Sequence, residues 1–158
     1  NYYEMGFSAD ELPAALEWAI YWLDYSRVQL FAPVPAMLTR LAAEWPLAIV
    51  STTPSPIIRK RLAVEGLEEL FRLVTGGEDG SSEKVEKIDL TLSRLGLREG
   101  VMVGDTRLDV EAAAHHGLKT VAATYGWQPP ARVLAAGPDF TAERPEELEA
   151  AVRQALGV

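Results

Sequence analysis

The sequence predicts an α/β fold in which a parallel β-sheet lies between two layers of helices. Short, wholly apolar runs such as residues 47–50 and 101–103 are typical of strands buried on both faces. Amphipathic helical segments alternate with these runs, and short loops join them. The 158 residues are 48% hydrophobic and 24% charged, which is the length and balance of one globular domain.

The first 30 residues are predicted to be helical and are rich in aromatic side chains. Ser8 or Asp10 would cap the helix, and Leu16, Ile20 and Leu23 form an apolar stripe along it. Aromatic side chains cover much of the remaining circumference: Trp18, Tyr21, Trp22 and Tyr25. Such a helix either packs in the core or faces a substrate or a partner protein. Exposed rings here would favour a homodimer.

Residues 31–158 alternate between helices and strands. Each strand is predicted from an apolar run, at residues 47–50, 71–75, 101–103 and 119–123, with a minor strand at 139–141. The helices are predicted at residues 33–44, from the turn at 51–54 to about 65, 83–95, 107–116, 130–136 and 145–156. Pro46 ends the first of these helices, and Gly66, Gly96 and Gly117 end the next three.

Composition excludes several classes of function. The formal net charge is −8, so the chain offers no basic field to attract nucleic acid or anionic lipid. There is no cysteine, which excludes disulfides and cysteine-ligated zinc. No apolar run approaches the ~20 residues of a membrane span, and no signal peptide opens the chain. A soluble, acidic, cytoplasmic protein is therefore expected.

Two aspartates follow the predicted strand at 101–103. Ligands of open parallel sheets gather at the carboxyl ends of the strands, and there the sequence reads Gly104-Asp105-Thr106-Arg107-Leu108-Asp109. At i, i+4 spacing, Asp105 and Asp109 would share a helical face and could bind Mg²⁺ with waters and a phosphate. Alternatively, Asp105 caps the helix and Asp109 stabilises its first turn through the helix dipole.

Hydroxyl side chains follow the strand at 47–50. Ser51 and Thr52, beside exposed backbone N–H groups, could hold a phosphate oxygen. The alternative is an ordinary turn leading into Pro54.

Two lysines begin the helix predicted at 83–95. Lys84 and Lys87 lie near its N-terminus, where the helix dipole disfavours a cation. Either they face a phosphate or they are solvated on the helix surface.

Taken together and in this order, these motifs resemble those of the haloacid dehalogenase (HAD) superfamily, and most nearly its phosphoglycolate-phosphatase-like members. The resemblance implies a three-layer, Rossmann-like core with a helical cap. It implies that Ser51 binds the transferring phosphoryl group and that Lys84, or as second choice Lys87, neutralises its charge. Asp105 would bind Mg²⁺ directly, and Asp109 would bind it through water or orient the lysine.

The family's first motif, Asp-x-Asp-x-Thr, is not found in these 158 residues. The resemblance places it on a strand in the middle of the sheet, ahead of Asn1, where it supplies the aspartyl nucleophile. The chain starts at Asn1 without a methionine, so we expect that an N-terminal segment was removed or that the chain starts partway along a longer protein. Residues 1–30 would then be the end of the cap, and residues 31–158 a core without its first strand.

The resemblance implies a Mg²⁺-dependent phosphohydrolase that acts on a small phosphomonoester through an aspartyl-phosphate, the nucleophile lying outside this chain. The expected partner is a small phosphorylated metabolite, with neither nucleic acid nor membrane. Two alternatives stay open. One is a catalytically silent binding domain, and the other is a haloacid dehalogenase, which would need no metal.

Overall fold

A computed structural model describes residues 8, 10–11, 13–15, 17, 29–80 and 82–158. Ser8 caps the start of the N-terminal helix as predicted, since its hydroxyl accepts from the backbone N–H of Glu11 (3.4 Å) and its own N–H donates to the Glu11 carboxylate (2.9 Å). Residues 13–15 and 17 are helical. The apolar stripe and the aromatic side chains predicted for residues 16–25 lie outside the described residues. The cap segment at 1–30 and the homodimer therefore stay predictions.

Strands and helices alternate along the rest of the chain. The strands are β1 (Leu47–Val50), β2 (Phe71–Thr75), β3 (Val101–Gly104), β4 (Lys119–Ala123) and β5 (Phe140–Ala142). The helices are α1 (Val34–Glu44), α2 (Ser55–Val64), α3 (Lys84–Leu95), α4 (Arg107–His115), α5 (Pro130–Leu134) and α6 (Leu148–Leu156). Short 3₁₀ turns precede β2 at Glu68–Leu70 and α6 at Pro145–Glu147.

The predicted elements are confirmed, with small shifts at their ends. The minor strand begins at Phe140 rather than Asp139, because the Asp139 carboxylate accepts from the backbone N–H (2.9 Å) and the hydroxyl (2.8 Å) of Thr120 on β4. The last helix begins as a 3₁₀ turn and becomes α-helical only at Leu148.

The strands are parallel and, within the described residues, they form two sheets. The apolar runs predicted one sheet, and the resemblance implied that a strand is missing from the middle of it. β1 pairs with β2, and β3, β4 and β5 follow one another in the second sheet. Among the described residues, no strand pairs with the second edge of β1 or of β3. Apolar runs identify strands but do not show which strands pair with each other. Among the described strands, none lies between β1 and β3.

Helices on both faces hold the two sheets together. On one face, Val50 of β1 and Met102 of β3 pack against the same cluster, formed by Ile88 of α3 with Ala112 and Ala113 of α4. On the other face, Leu47 of β1 and Val101 of β3 both pack against a second cluster, which buried side chains of α1 and α6 form with β4. Its members include Met37, Leu41, Val121, Leu148 and Val152. The predicted three-layer architecture is thus present. β1 and β3 both belong to the middle layer, where each forms the edge of its sheet that is nearer to the other sheet.

No helix in the described part of the chain combines the length and the apolar character that crossing a bilayer requires.

Candidate functional site

The candidate residues lie where β1 and β3 end, on the two sides of the division between the sheets. Ser51 directly follows β1 and Asp105 directly follows β3. Gly104 is the last residue of β3, and its position has no room for a side chain because the side chain of Asp109 lies against its backbone. A Cβ added at Gly104 would overlap the Cβ of Asp109 and lie 2.7 Å from its carboxylate carbon. The turn after β3 is therefore folded tightly onto the first turn of α4.

Lys84 connects the two sheets at this end of the molecule. Its ammonium Nζ lies 2.9 Å from Oδ1 of Asp109 and donates to the backbone carbonyl oxygen of Val50 at 3.1 Å. The side chains of Lys84 and Asp109 are 16% and 9% exposed, so the ion pair is largely shielded from water. One cation thus joins the end of β1 to the start of α4.

Asp109 combines two of the predicted roles. Its Oδ2 accepts from the backbone N–H (3.1 Å) and the hydroxyl (2.7 Å) of Thr106, while the Thr106 hydroxyl accepts from the backbone N–H of Asp109 (3.2 Å). This is a complete capping box at the start of α4. Since Oδ1 pairs with Lys84, both carboxylate oxygens are occupied, and Asp109 is placed to orient the lysine.

Two expectations about how Asp105 is placed were wrong, whereas its role as a metal ligand stays a prediction. The N-cap of α4 is Thr106 and not Asp105. Because Asp105 precedes the cap and has no helical conformation, the argument that Asp105 and Asp109 share a helical face does not apply. The i, i+4 spacing coincides here with a strand end and a helix start, which sequence periodicity alone does not separate.

Asp105 is held instead by the segment that follows β4. Its Oδ2 accepts from the backbone N–H of Trp127 at 2.7 Å. Gly126 passes so close that an added Cβ would overlap the side chain of Asp105. Within the described residues, Oδ1 of Asp105 accepts no hydrogen bond, so one carboxylate oxygen is available.

Burial raises the pKa of the Tyr125 phenol, and the negative charges of Asp105 and Glu146 raise it further.

Ser51 lies in a turn that leaves its hydroxyl proton free. Its backbone N–H continues the hydrogen bonding between β1 and β2 by donating to the carbonyl oxygen of Thr75 (2.9 Å). Its Oγ accepts from the backbone N–H of Thr53 (3.0 Å). In the described part of the chain, the hydroxyl makes no donated hydrogen bond. The turn and a phosphate-binding role are therefore compatible, and neighbouring Thr52 is exposed.

Lys87, the second-choice lysine, is directed elsewhere. It is 1% exposed, and its Nζ donates to the carbonyl oxygens of Gly76 (2.5 Å), Gly77 (3.3 Å) and Asp79 (2.7 Å). With its three protons taken by backbone carbonyls, Lys87 has none left for a ligand. Of the two lysines, Lys84 is the one whose ammonium lies between the end of β1 and Asp109.

Sequence reasoning missed three contributors to this site: the Thr106 cap, and Gly126 and Trp127, which hold Asp105. A Thr-x-x-Asp pattern is a capping-box signal that could have identified Thr106. Nothing local marks Gly126, because its contact is with a residue on another strand. Within the described residues, no group of three or more His, Asp or Glu side chains could by itself hold a metal ion.

The haloacid dehalogenase-like hydrolase family matches residues 12–123 of this chain. A phosphoglycolate phosphatase from Pectobacterium atrosepticum is 35% identical over 120 residues, which is 73% of this chain and 51% of that protein. One from Synechococcus elongatus is 35% identical over 136 residues, 82% of this chain and 62% of that protein. The pyrophosphatase PpaX from Listeria welshimeri is 32% identical over 114 residues, 70% and 52% respectively. The chain thus spans about half the length of most of these curated relatives.

Solved structures show the same fold. A haloacid dehalogenase-like family hydrolase from Streptococcus pneumoniae superposes with a TM-score of 0.79 at 24% identity, over 94% of this chain and 73% of that one. A predicted phosphoglycolate phosphatase from Haemophilus somnus superposes with a TM-score of 0.75 at 21% identity, over 90% and 67%. Given the family match over more than half of its length, this chain belongs to the haloacid dehalogenase-like hydrolases, and among curated proteins it is similar to phosphoglycolate phosphatases.

Proposed function

We propose that this chain forms the core of a Mg²⁺-dependent phosphohydrolase that acts on a small phosphomonoester. The name of its phosphoglycolate phosphatase relatives supports this class of substrate. The observation that carries the proposal is the position of Lys84. Its ammonium lies between the end of β1 and Asp109, at the edge where β1 and β3 end. A fixed cation at this place suits a ligand with two negative charges.

The side chains around Lys84 would bind the phosphoryl group. Phosphoryl transfer depends mainly on positioning and on stabilising charge on the phosphoryl oxygens. Lys84 supplies a positive charge that Asp109 holds in place, and Ser51 has a hydroxyl proton to donate. Thr52, exposed in the same turn, would add a second hydroxyl.

The donor set fits a magnesium ion. Mg²⁺ binds few protein carboxylates and completes its octahedron with waters and substrate phosphate. Asp105 has one free carboxylate oxygen, whereas both oxygens of Asp109 are occupied. Asp105 would therefore bind the ion directly and Asp109 through water. When bound, the ion would neutralise charge on the phosphate oxygens.

The nucleophile would be an aspartate on a strand between β1 and β3, outside these 158 residues. The edges of β1 and β3 with which no described strand pairs support this placement, because backbone groups inside a sheet need partners. The aspartate oxygen would form a bond to phosphorus as the bond to the leaving alcohol oxygen breaks. Water would then attack the aspartyl-phosphate at phosphorus, which releases inorganic phosphate and restores the carboxylate. Such chemistry on a phosphorylated metabolite is consistent with a cytoplasmic protein.

Binding and hydrolysis test the proposal together. Calorimetry with inorganic phosphate should show binding that requires Mg²⁺, and the natural gene product should hydrolyse p-nitrophenyl phosphate and phosphoglycolate until EDTA is added. Asp105→Asn should abolish both. Glu111→Gln is the matched control, since Glu111 is an exposed carboxylate on α4 that pairs with Arg107.

Hydrolysis that survives both EDTA and Asp105→Asn would contradict the proposed metal role. Mg²⁺-dependent phosphate binding by a natural gene product that hydrolyses neither substrate would instead support the alternative of a silent binding domain. Metal-independent release of halide from a haloacid would support the dehalogenase alternative.

A further inference from the structure

We propose that Lys87 is a positioning residue whose buried ammonium holds the glycine loop (residues 76–80) against the hydroxyl turn (residues 51–55), and so fixes the place of Ser51. This inference rests on the proposed function, because it assigns to Lys87 an indirect part in phosphate binding.

Lys87 organises the glycine loop from inside. It lies on the buried face of α3, beside Ile88 and one helical turn beyond Lys84. Its three N–H donors meet three carbonyl oxygens of the one loop, those of Gly76, Gly77 and Asp79. A buried ammonium is tolerated only when its protons have acceptors, and these carbonyls provide them. The loop therefore curves around Nζ. An apolar side chain at position 87 would take this donor from all three carbonyl groups, and of the three the Gly76 carbonyl would keep the backbone N–H of Asp79 at 3.2 Å.

The glycine loop in turn holds the hydroxyl turn. The backbone N–H of Gly77 donates to the carbonyl oxygen of Thr53 at 2.9 Å. The Glu78 carboxylate accepts from the backbone N–H of Ser55 at 2.9 Å and also bonds its hydroxyl. Burial raises the pKa of Glu78, but the Ser55 hydrogen bonds outweigh it and keep the pKa below its ordinary value.

The two loops are in close contact. An added Cβ at Gly76 would overlap the backbone nitrogen of Ser55, and one at Gly77 would lie 2.5 Å from the carbonyl oxygen of Thr52. Movement of the glycine loop would therefore be transmitted directly to the hydroxyl turn. Asp79 stabilises the loop further, because its carboxylate accepts from the backbone N–H of Gly76 at 2.9 Å and pairs with Arg94 at 3.1 Å.

The two lysines of α3 thus divide their work. Lys84 would carry the charge that faces the proposed phosphate, and Lys87 would hold in place the turn whose Ser51 hydroxyl binds the same phosphate. Loss of Lys87 should weaken phosphate binding without removing any group that touches the ligand.

The test compares Lys87→Met with Thr91→Val. Thr91 lies one turn further along the same buried face, and its hydroxyl bonds Thr75 and the backbone of Lys87 without touching the glycine loop. Two quantities are measured on the whole chain: the dissociation constant of inorganic phosphate with Mg²⁺ present, and the hydrogen exchange of the Gly77 and Ser55 amides.

Lys87→Met should speed exchange at both amides and weaken phosphate binding, each by about tenfold. Thr91→Val should lower the melting temperature yet leave the dissociation constant within about twofold of the unmodified chain. Should Lys87→Met fail to fold, Glu78→Gln breaks the link to Ser55 from the surface. It should speed exchange at Ser55 and weaken phosphate binding in the same direction.

Three results would overturn the inference: unchanged exchange in Lys87→Met, faster exchange with unchanged phosphate binding, or equal weakening by Thr91→Val. If the unmodified chain binds no phosphate with Mg²⁺, the proposed function fails instead, and the exchange measurement alone still decides whether Lys87 holds the two loops together.

Discussion

The ammonium of Lys84 lies 2.9 Å from Oδ1 of Asp109, and the same nitrogen donates to the carbonyl oxygen of Val50. Since Val50 ends β1 and Asp109 lies in the first turn after β3, this pair joins two sheets that share no backbone hydrogen bond among the described strands. The contact therefore serves the stability of the fold as well as the proposed chemistry.

Replacing the cation of this pair should affect both. We expect Lys84→Met to lower the free energy of unfolding by about 2 kcal/mol, because the Asp109 carboxylate stays largely buried without its partner. In the natural gene product, the proposed phosphatase activity should fall by about a hundredfold or more, since charge on the phosphoryl group loses its fixed counter-charge. Urea denaturation and p-nitrophenyl phosphate hydrolysis measure the two effects. Lys119→Met removes an exposed lysine that pairs with Asp139, and activity should be retained in that control.

Glycines at the site should tolerate no side chain. Gly126→Ala would push the added Cβ into Asp105, and Gly104→Ala would push it into Asp109. We expect both variants to weaken Mg²⁺-dependent phosphate binding by about tenfold or more, as measured by calorimetry. Gly100→Ala is the matched control, because nothing lies within 4 Å of a Cβ added there. Equal loss in all three would show that close approach is not the cause.

The cap of α4 should depend on the Thr106 hydroxyl. Thr106→Ala removes the hydroxyl that accepts from the backbone N–H of Asp109 and donates to its carboxylate, and leaves that N–H only the Thr106 carbonyl oxygen at 3.2 Å. The substitution should cost about 1 kcal/mol of unfolding free energy. Thr106→Ser keeps an oxygen in place and should lose much less. A urea titration that finds the two variants equally stable would contradict the capping role.

The start of β5 should be sensitive to acid through Asp139. Hydrogen bonds from the Thr120 hydroxyl and backbone N–H hold the pKa of Asp139 below its ordinary value, and Lys119 lowers it further. A carboxyl group with a lowered folded pKa stabilises the fold above its unfolded pKa of about 3.9, and that contribution is lost as the pH falls through the folded pKa. Asp139→Asn should therefore destabilise the protein near neutral pH and have little effect at about pH 2.

Urea midpoints at the two pH values measure this difference. Asp89→Asn provides the comparison, since it replaces an aspartate that is exposed on α3. A loss of stability in Asp139→Asn that is the same at both pH values would mean that the charged form of Asp139 is not what stabilises β5.

The elements of the fold could be predicted from the sequence because each has a local signal. The bounds of β1, β2 and β4 match their apolar runs, and Gly96 ends α3 in a left-handed conformation, as a glycine after a helix predicts. Ser51, Lys84, Asp105 and Asp109 were identified as candidates because they lie at the ends of such elements. The Thr106 cap was not identified. The division between β1 and β3 was implied only by the resemblance, because no local pattern shows which strands form hydrogen bonds with each other.

What the sequence by itself determined is therefore the order of strands and helices and the polar residues that follow each strand. Burial of apolar runs and the conformational preferences of glycine and proline operate over a few residues, so the chain carries them locally. Only the tertiary structure decided that Lys84 reaches Asp109 while Lys87 is enclosed by carbonyl oxygens, although the two are neighbours on one helix. Their environments differ because α3 meets α4 beside Lys84 and the glycine loop beside Lys87, and such contacts depend on the folding of distant segments.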